Sequence, residues 1–213
     1  MAKRVKKTKT LVALSLILGL SVAWGQVKEP QQGAGAADKP PLPRCPVMDE
    51  PVDFFVSTPT DDGPVYFCCK PCITKYNKNP SEYSQKVAAQ RTALAKLPKV
   101  QVACPISNKP VRSDVSLDDK GQKIHFCCPK CIEEFKADPA KQQARMAASY
   151  TYQTACPVDG APIDPSVFIK VKGENRIFFH QLACKEAFLK DPKPFLPKLE
   201  EQGIALEASD IHE

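Results

Sequence analysis

Apolar residues are distributed along the chain in two ways. One largely apolar stretch runs from Leu11 to Trp24. Elsewhere, short stretches alternate apolar and polar positions and come in pairs around polar turns: DFFVSTP and VYFCC around DDG, DVSL and KIHFCC around DDKGQ, SVFIKVK and RIFFH around GEN. Alternation bounded by Gly and Asp turns predicts three β-hairpins. Each pair is followed by a short predicted helix: CITKYNK, CIEEFKA or CKEAFLK. Asn79-Pro80, Asp138-Pro139 and Asp191-Pro192 then restart the chain as an N-cap with proline at the first helical position. Glu82 extends the first of these into an expected capping box with Asn79. Longer helices are expected over 80–97 and 139–148, spacing the units apart. Tyr83, Val87, Leu94 and Leu97 fall near one face of the first, which predicts packing on a hairpin.

The pattern is a repeat. The first copy opens CPVMDEPV at Cys45 and returns to YFCCKPC; the second opens CPISNKPV at Cys104 and returns to HFCCPKC. Cys45, Cys68, Cys69 and Cys72 map onto Cys104, Cys127, Cys128 and Cys131 at a constant offset of 59 residues. A third, divergent copy opens CPVDGAPI at Cys156 and returns to FFHQLACKEAF. Aligning Cys184 with Cys131 places Phe188 on Phe135, His180 on Cys127 and Gln181 on Cys128, with one extra residue in the middle loop.

The apolar stretch changes the reading of charge and compartment. It follows five basic residues and ends at Ala23-Trp24-Gly25, the three parts of a secretory signal peptide. Its 14 residues fall short of a membrane span. Export is therefore expected, to a periplasm or the extracellular space, with Gln26 at the mature N-terminus and no membrane span after cleavage; an uncleaved anchor is the alternative. The formal charge of +6 drops to +1 once Lys3, Arg4, Lys6, Lys7 and Lys9 are removed. A near-neutral protein offers no electrostatic case for nucleic acid or an anionic membrane. The expected organisation is a signal peptide over 1–25, a Pro/Gly-rich tether over 26–43, units over 44–97, 98–150 and 151–200, and a polar tail over 201–213.

Ten cysteines and 21 prolines point to small cross-linked or metal-held units. Each hairpin-plus-helix is about 40 residues, too small for an apolar core alone. A bound metal contributes roughly 10 kcal/mol or more, a disulfide roughly 2–4 kcal/mol. Histidine in place of cysteine at position 180 is compatible with a metal vertex and not with a disulfide. The opening cysteine and the C-x3-C after the hairpin bring together Cys45, Cys68 and Cys72; Cys104, Cys127 and Cys131; Cys156, His180 and Cys184. Cys69 and Cys128 complete a tetrahedron if the chain turns at the doubled cysteine, because adjacent strand residues face opposite ways. Asp159 is either a fourth ligand of the third unit or a turn former, and the Asp-Gly pair favours the turn.

A leading Cys-Pro-Val, a polar hairpin, aromatic-Phe-Cys-x3-Cys, an aromatic four residues on and Asp-Pro together resemble the TRASH/YHS family over most of residues 44–200, in three copies. The doubled cysteine and His180 depart from the pattern. The resemblance implies a small α+β fold of three tandem treble-clef-like units, each a zinc knuckle, a β-hairpin and a short helix, joined by helical linkers. It also implies binding of heavy metals such as zinc or copper at the three residue sets above. Soft thiolates suit copper(I) as well as zinc.

Three functions follow. The first is an exported, non-enzymatic metal-binding protein for buffering, carriage or resistance, with metal ions and a metal-handling or envelope protein as partners. The second is a disulfide-stapled secreted interaction module, in keeping with an oxidising compartment. The third is a thiol oxidoreductase, suggested by the C-x2-C motifs CKPC and CPKC but lacking a surrounding α/β pattern. His125 occupies the slot of Tyr66 and Phe178 and is expected to pack; His212 is expected in solvent. No Ser-His-Asp set, phosphate loop or carboxylate pair suggests catalysis.

Overall fold

The computed structural model describes residues 40–211. The expected signal peptide, Trp24, most of the tether and His212 lie outside the described residues. Within them the protein is a small α+β fold with six α-helices and four two-stranded antiparallel sheets. The first unit contains β1 (Asp53–Thr58), β2 (Val65–Phe67), α1 (Lys70–Lys78) and α2 (Ser84–Leu94), with a 3-10 turn over Pro80–Tyr83 between the helices. β3 (Val100–Gln101) leads to β4 (Arg112–Asp119), β5 (Gln122–Phe126), α3 (Pro129–Ala137) and α4 (Pro139–Ala148). β6 (Tyr150–Thr151) leads to β7 (Asp164–Lys170), β8 (Arg176–Phe179), α5 (Leu182–Lys190) and α6 (Leu196–Glu200). Among the described residues no helix is long and apolar enough to cross a membrane.

The three hairpins repeat in detail. Each register steps at the same place: from Asp53↔Phe67 to Ser57↔Tyr66, from Arg112↔Phe126 to Ser116↔His125, and from Asp164↔Phe179 to Phe168↔Phe178. Four positions on one strand thus oppose one step on the other, a bulge that bends the first strand and strengthens its twist. β4 and β5 are closed by Lys120 and Gly121, both at positive φ (51° and 82°), the conformation of a two-residue hairpin turn.

Each hairpin is held to its helix by one aromatic pair. Phe67 meets Tyr76, Phe126 meets Phe135 and Phe179 meets Phe188, with ring centroids 5.4, 5.5 and 5.2 Å apart. The strand-end phenylalanines are fully buried. Burial of each such ring is worth about 1.5–3 kcal/mol, and the pair geometry adds about 0.5–1.5 kcal/mol. Val87 and Leu94 are buried on α2 as the helical spacing predicts, with Tyr83 half-buried; Leu97 is also buried, but α2 ends at Leu94, short of the expected end at 97. The expected capping box at Asn79 does not form. Asn79 instead accepts from the Ser81 hydroxyl, because the chain enters a 3-10 turn rather than an α-helix there.

The glutamines form a second repeated device. The Gln90 carboxamide accepts from the Tyr66 backbone N–H (3.0 Å) and donates to the carbonyls of Tyr66 (2.8 Å) and Arg44 (2.9 Å). Gln101 does the same to His125 and Ala103, and Gln153 to Phe178 and Ala155. Each carboxamide thus pairs with the strand edge as another strand would. It also ties that edge to the residue just before the opening cysteine.

The units are not spaced apart by their linkers; from Pro40 onward they form one compact body. β3 pairs with β6, joining the two linkers. Tyr152 stacks on Phe54 (4.4 Å) and meets Tyr66 edge-on (5.9 Å). The segment after residue 200, expected as a polar tail, also belongs to the core. Ile204 is buried, the Gln202 carboxamide accepts from the N–H groups of Thr154 and Ala155, and the Gly203 carbonyl accepts from Phe54 N–H at 2.8 Å. Gly203 has φ +77°, and a Cβ there would lie 2.7 Å from the Phe54 ring, so the contact requires glycine. At the other end, Pro43 is fully buried and its carbonyl accepts from Val52 N–H.

Gln153 is wholly buried. Gln153→Leu strips partners from the buried N–H and C=O of Phe178, so it should cost about 2–4 kcal/mol. Urea unfolding measures this, and a loss under about 0.5 kcal/mol, the range of an ordinary surface change, would refute the clamp.

Candidate metal centres

Each opening cysteine sits in a knuckle whose shape is set by one residue four positions on. Asp49, Asn108 and Gly160 have φ of 60°, 57° and 75°, and these residue types tolerate the left-handed region best. Their N–H groups donate to the carbonyls of Cys45, Cys104 and Cys156, and each of those cysteines donates its N–H to the following residue's carbonyl (Glu50, Lys109, Ala161). Single β-bridges at Arg44↔Pro51, Ala103↔Pro110 and Ala155↔Pro162 close the knuckles.

The other half of each cluster comes from the strand-to-helix junction. β2 ends at Phe67, the chain bends at Cys68, and Cys69 precedes α1 as its N-cap in an extended conformation. The turn demanded by the doubled cysteine is therefore present. It gathers the thiols at the N-terminal end of the helix, where unpaired N–H groups favour negative charge. In the first unit the Cys68 sulfur lies 3.9 Å from Cys69 and 3.7 Å from Cys72, and Cys69 lies 3.3 Å from Cys72. The second unit repeats this, with Cys127 to Cys128 at 3.9 Å and both at 3.6 Å from Cys131.

Three groups of donors that could hold a metal ion result: Cys45, Cys68 and Cys72; Cys104, Cys127 and Cys131; Cys156, Asp159 and Cys184. Within each group all donor atoms lie within 4.8 Å of one another. Cys69 and Cys128 stand beside their groups without joining the full mutually close set. His180 likewise stands beside the third, its Nδ1 3.0 Å from Asp159 Oδ2. The place beside Cys156 and Cys184 is taken by Asp159, whose Oδ2 is 3.2 Å from the Cys184 sulfur. Asp159 also makes the expected turn, its Oδ1 accepting from Ala161 N–H, so one carboxylate serves both purposes. All ten thiols are free.

Sequence reasoning did not bring out the column that carries Asp159. The third residue after the opening cysteine is Met48, Ser107 or Asp159. Ser107 Oγ reaches the Cys127 sulfur at 3.1 Å, from the same knuckle position as Asp159. Comparing that one column across the three copies would have found it. Gln181, in the slot of Cys69 and Cys128, is the N-cap residue of α5.

Charge is distributed unevenly within the clusters. Burial alone would raise Cys45, but the N–H groups of Cys68, Met48 and Val47 outweigh it and lower its thiol pKa. Cys104 is lowered to about 7 against burial by the N–H groups of Cys127, Ser107 and Ile106 together with the Ser107 hydroxyl. Burial raises Cys68 to about 11 and Cys72 and Cys131 strongly upward, helped by hydrogen bonding to their neighbours, whereas hydrogen bonds from Cys72 and Cys131 lower Cys69 and Cys128 at the helix N-caps. Burial, the Asp159 carboxylate and Cys156 raise Cys184 to about 11. For Asp159, burial opposes ionisation, yet Ala161 N–H, the two thiols and His180 hold its carboxyl well below the usual carboxylate range.

Compared with known families, characterised proteins and solved structures, the chain gives no match.

The Asp159 shift has a defined sign. A carboxyl depressed on folding contributes stability that is fully present above its unfolded value, about pH 4, and is lost as the pH falls toward the folded one. Asp159→Asn should therefore lower the metal-free protein's melting temperature at neutral pH and flatten its fall below about pH 4, so that the two proteins converge in acid. Thermal melts of both proteins from pH 7 to 2 check this; parallel acid limbs would contradict it.

Proposed function

We propose that this chain is an exported, non-enzymatic heavy-metal-binding protein that buffers or carries zinc or copper(I), with one site in each of three treble-clef-like units of TRASH/YHS type. The observation that carries the reading is the threefold convergence of donors: three ligand atoms within 4.8 Å of one another in each copy, from knuckle, strand end and helix start in the first two units and from knuckle and helix start in the third. A disulfide joins two sulfurs, whereas in the first two units a third and a fourth thiol crowd the same point. In the third unit a carboxylate stands with two thiols, a donor mixture familiar for zinc. Cys68, Cys72, Cys131 and Cys184, whose pKa values burial raises, give the site its reaction: ions enter as protons leave, so affinity rises with pH. The basic start and apolar stretch over 3–24 support export.

Native mass spectrometry of the protein purified from the exported fraction without chelator or reductant tests the proposal. Three bound ions are expected, all lost on acidification, and Cys72→Ser should remove one. A metal-free mass short by two hydrogens per cysteine pair would replace this reading with the disulfide-stapled interaction module.

A further inference from the structure

The three clusters share a backbone but not a donor set. The first two offer sulfur alone among their mutually close donors, with Cys69 and Cys128 adding a fourth thiol at 3.3 and 3.6 Å. The third has lost two thiols to His180 and Gln181 and has gained a carboxylate. That carboxylate is fixed twice over. Ala161 N–H holds Oδ1 at 3.0 Å, and the His180 ring meets Oδ2 at 3.0 Å while the same oxygen faces the Cys184 sulfur.

Donor softness separates such sites. Thiolates select copper(I) and also bind zinc, whereas a carboxylate oxygen, being hard, favours divalent ions over copper(I). Resting on the metal-binding reading above, we infer that the protein carries two classes of site: two thiophilic sites in the first and second units that exchange zinc for copper(I), and a third, Cys156–Asp159–Cys184, that keeps a zinc-class divalent ion in the presence of copper(I). Asp159 is the residue that sets the difference, and His180 holds its carboxylate.

The full-length exported protein, reduced and loaded with zinc, is titrated anaerobically with copper(I) and followed by native mass spectrometry. Two zinc ions should be replaced and one retained. Asp159→Asn keeps an oxygen for the Ala161 turn but removes the anionic donor. It should weaken the retained zinc by about 10–100-fold or more and leave the two exchanging sites unchanged, with circular dichroism confirming the fold. His180→Cys/Gln181→Cys, which gives the third unit the thiol pair of the others, should let copper(I) replace all three ions. Equal exchange at all three sites in the unaltered protein, or a resistant zinc that persists in Asp159→Asn, overturns the assignment while leaving metal binding intact. Failure of the reduced protein to take up any zinc overturns both.

Discussion

A buried carboxamide joins the two halves of every cysteine cluster. The knuckle and the strand-to-helix junction are separate pieces of chain, and thiols from both must meet within a few ångströms. Gln90, Gln101 and Gln153 each bond to the last hairpin strand and to the residue before the opening cysteine, so the two pieces share one rigid edge. The aromatic pair beneath then sets the distance between that strand and the helix. Without the carboxamide, the strand edge would present an unpaired buried N–H and C=O, and the knuckle would lose its direct bond to that edge.

The hairpins and helices were legible because their period is short and their turns carry Asp and Gly. The cysteine sets of the first two units were legible because the copies differ by a constant offset. The clamps were harder to see. Gln101 and Gln153 occupy the same place in QVAC and QTAC, but a glutamine is ordinarily a surface residue and its burial is decided by tertiary contacts. In the first unit that place holds Leu42, and Gln90 supplies the same bonds from α2, a substitution across 46 residues that no local pattern discloses. The packed segment after residue 200 is short, and its packed residues Ile204, Leu206 and Ile211 follow no helix or strand period. Asp159 was visible as either a fourth ligand or a turn former; that one carboxylate stands in both places depended on where the other strand returned.

The repeat also separates what the fold needs from what the chemistry needs. The knuckle turn, the bulge, the strand-end phenylalanine and the glutamine clamp recur in all three units, as do the opening and helix cysteines, while the other positions around the cluster vary. Variation at Met48, Ser107 and Asp159, and at Cys68, Cys127 and His180, therefore changes ligand chemistry on a nearly constant frame. In each cysteine-only cluster the knuckle thiol and the thiol at the helix N-cap are both lowered, while the buried thiol one turn into the helix is raised, so a proton is held at the centre of the cluster between two sites that favour charge.

The contact between Phe54 and Gly203 spans 149 residues of chain. It ties the first hairpin to a segment that follows the third, so the first unit cannot reach its final packing until that distant segment has emerged. Folding that depends on so distant a pairing is slow. Until then the first unit's thiols stand in an unfinished setting. The order of synthesis thus makes the first unit the longest exposed to competing oxidation and the third the shortest, a kinetic asymmetry among three clusters that share one backbone frame once folded.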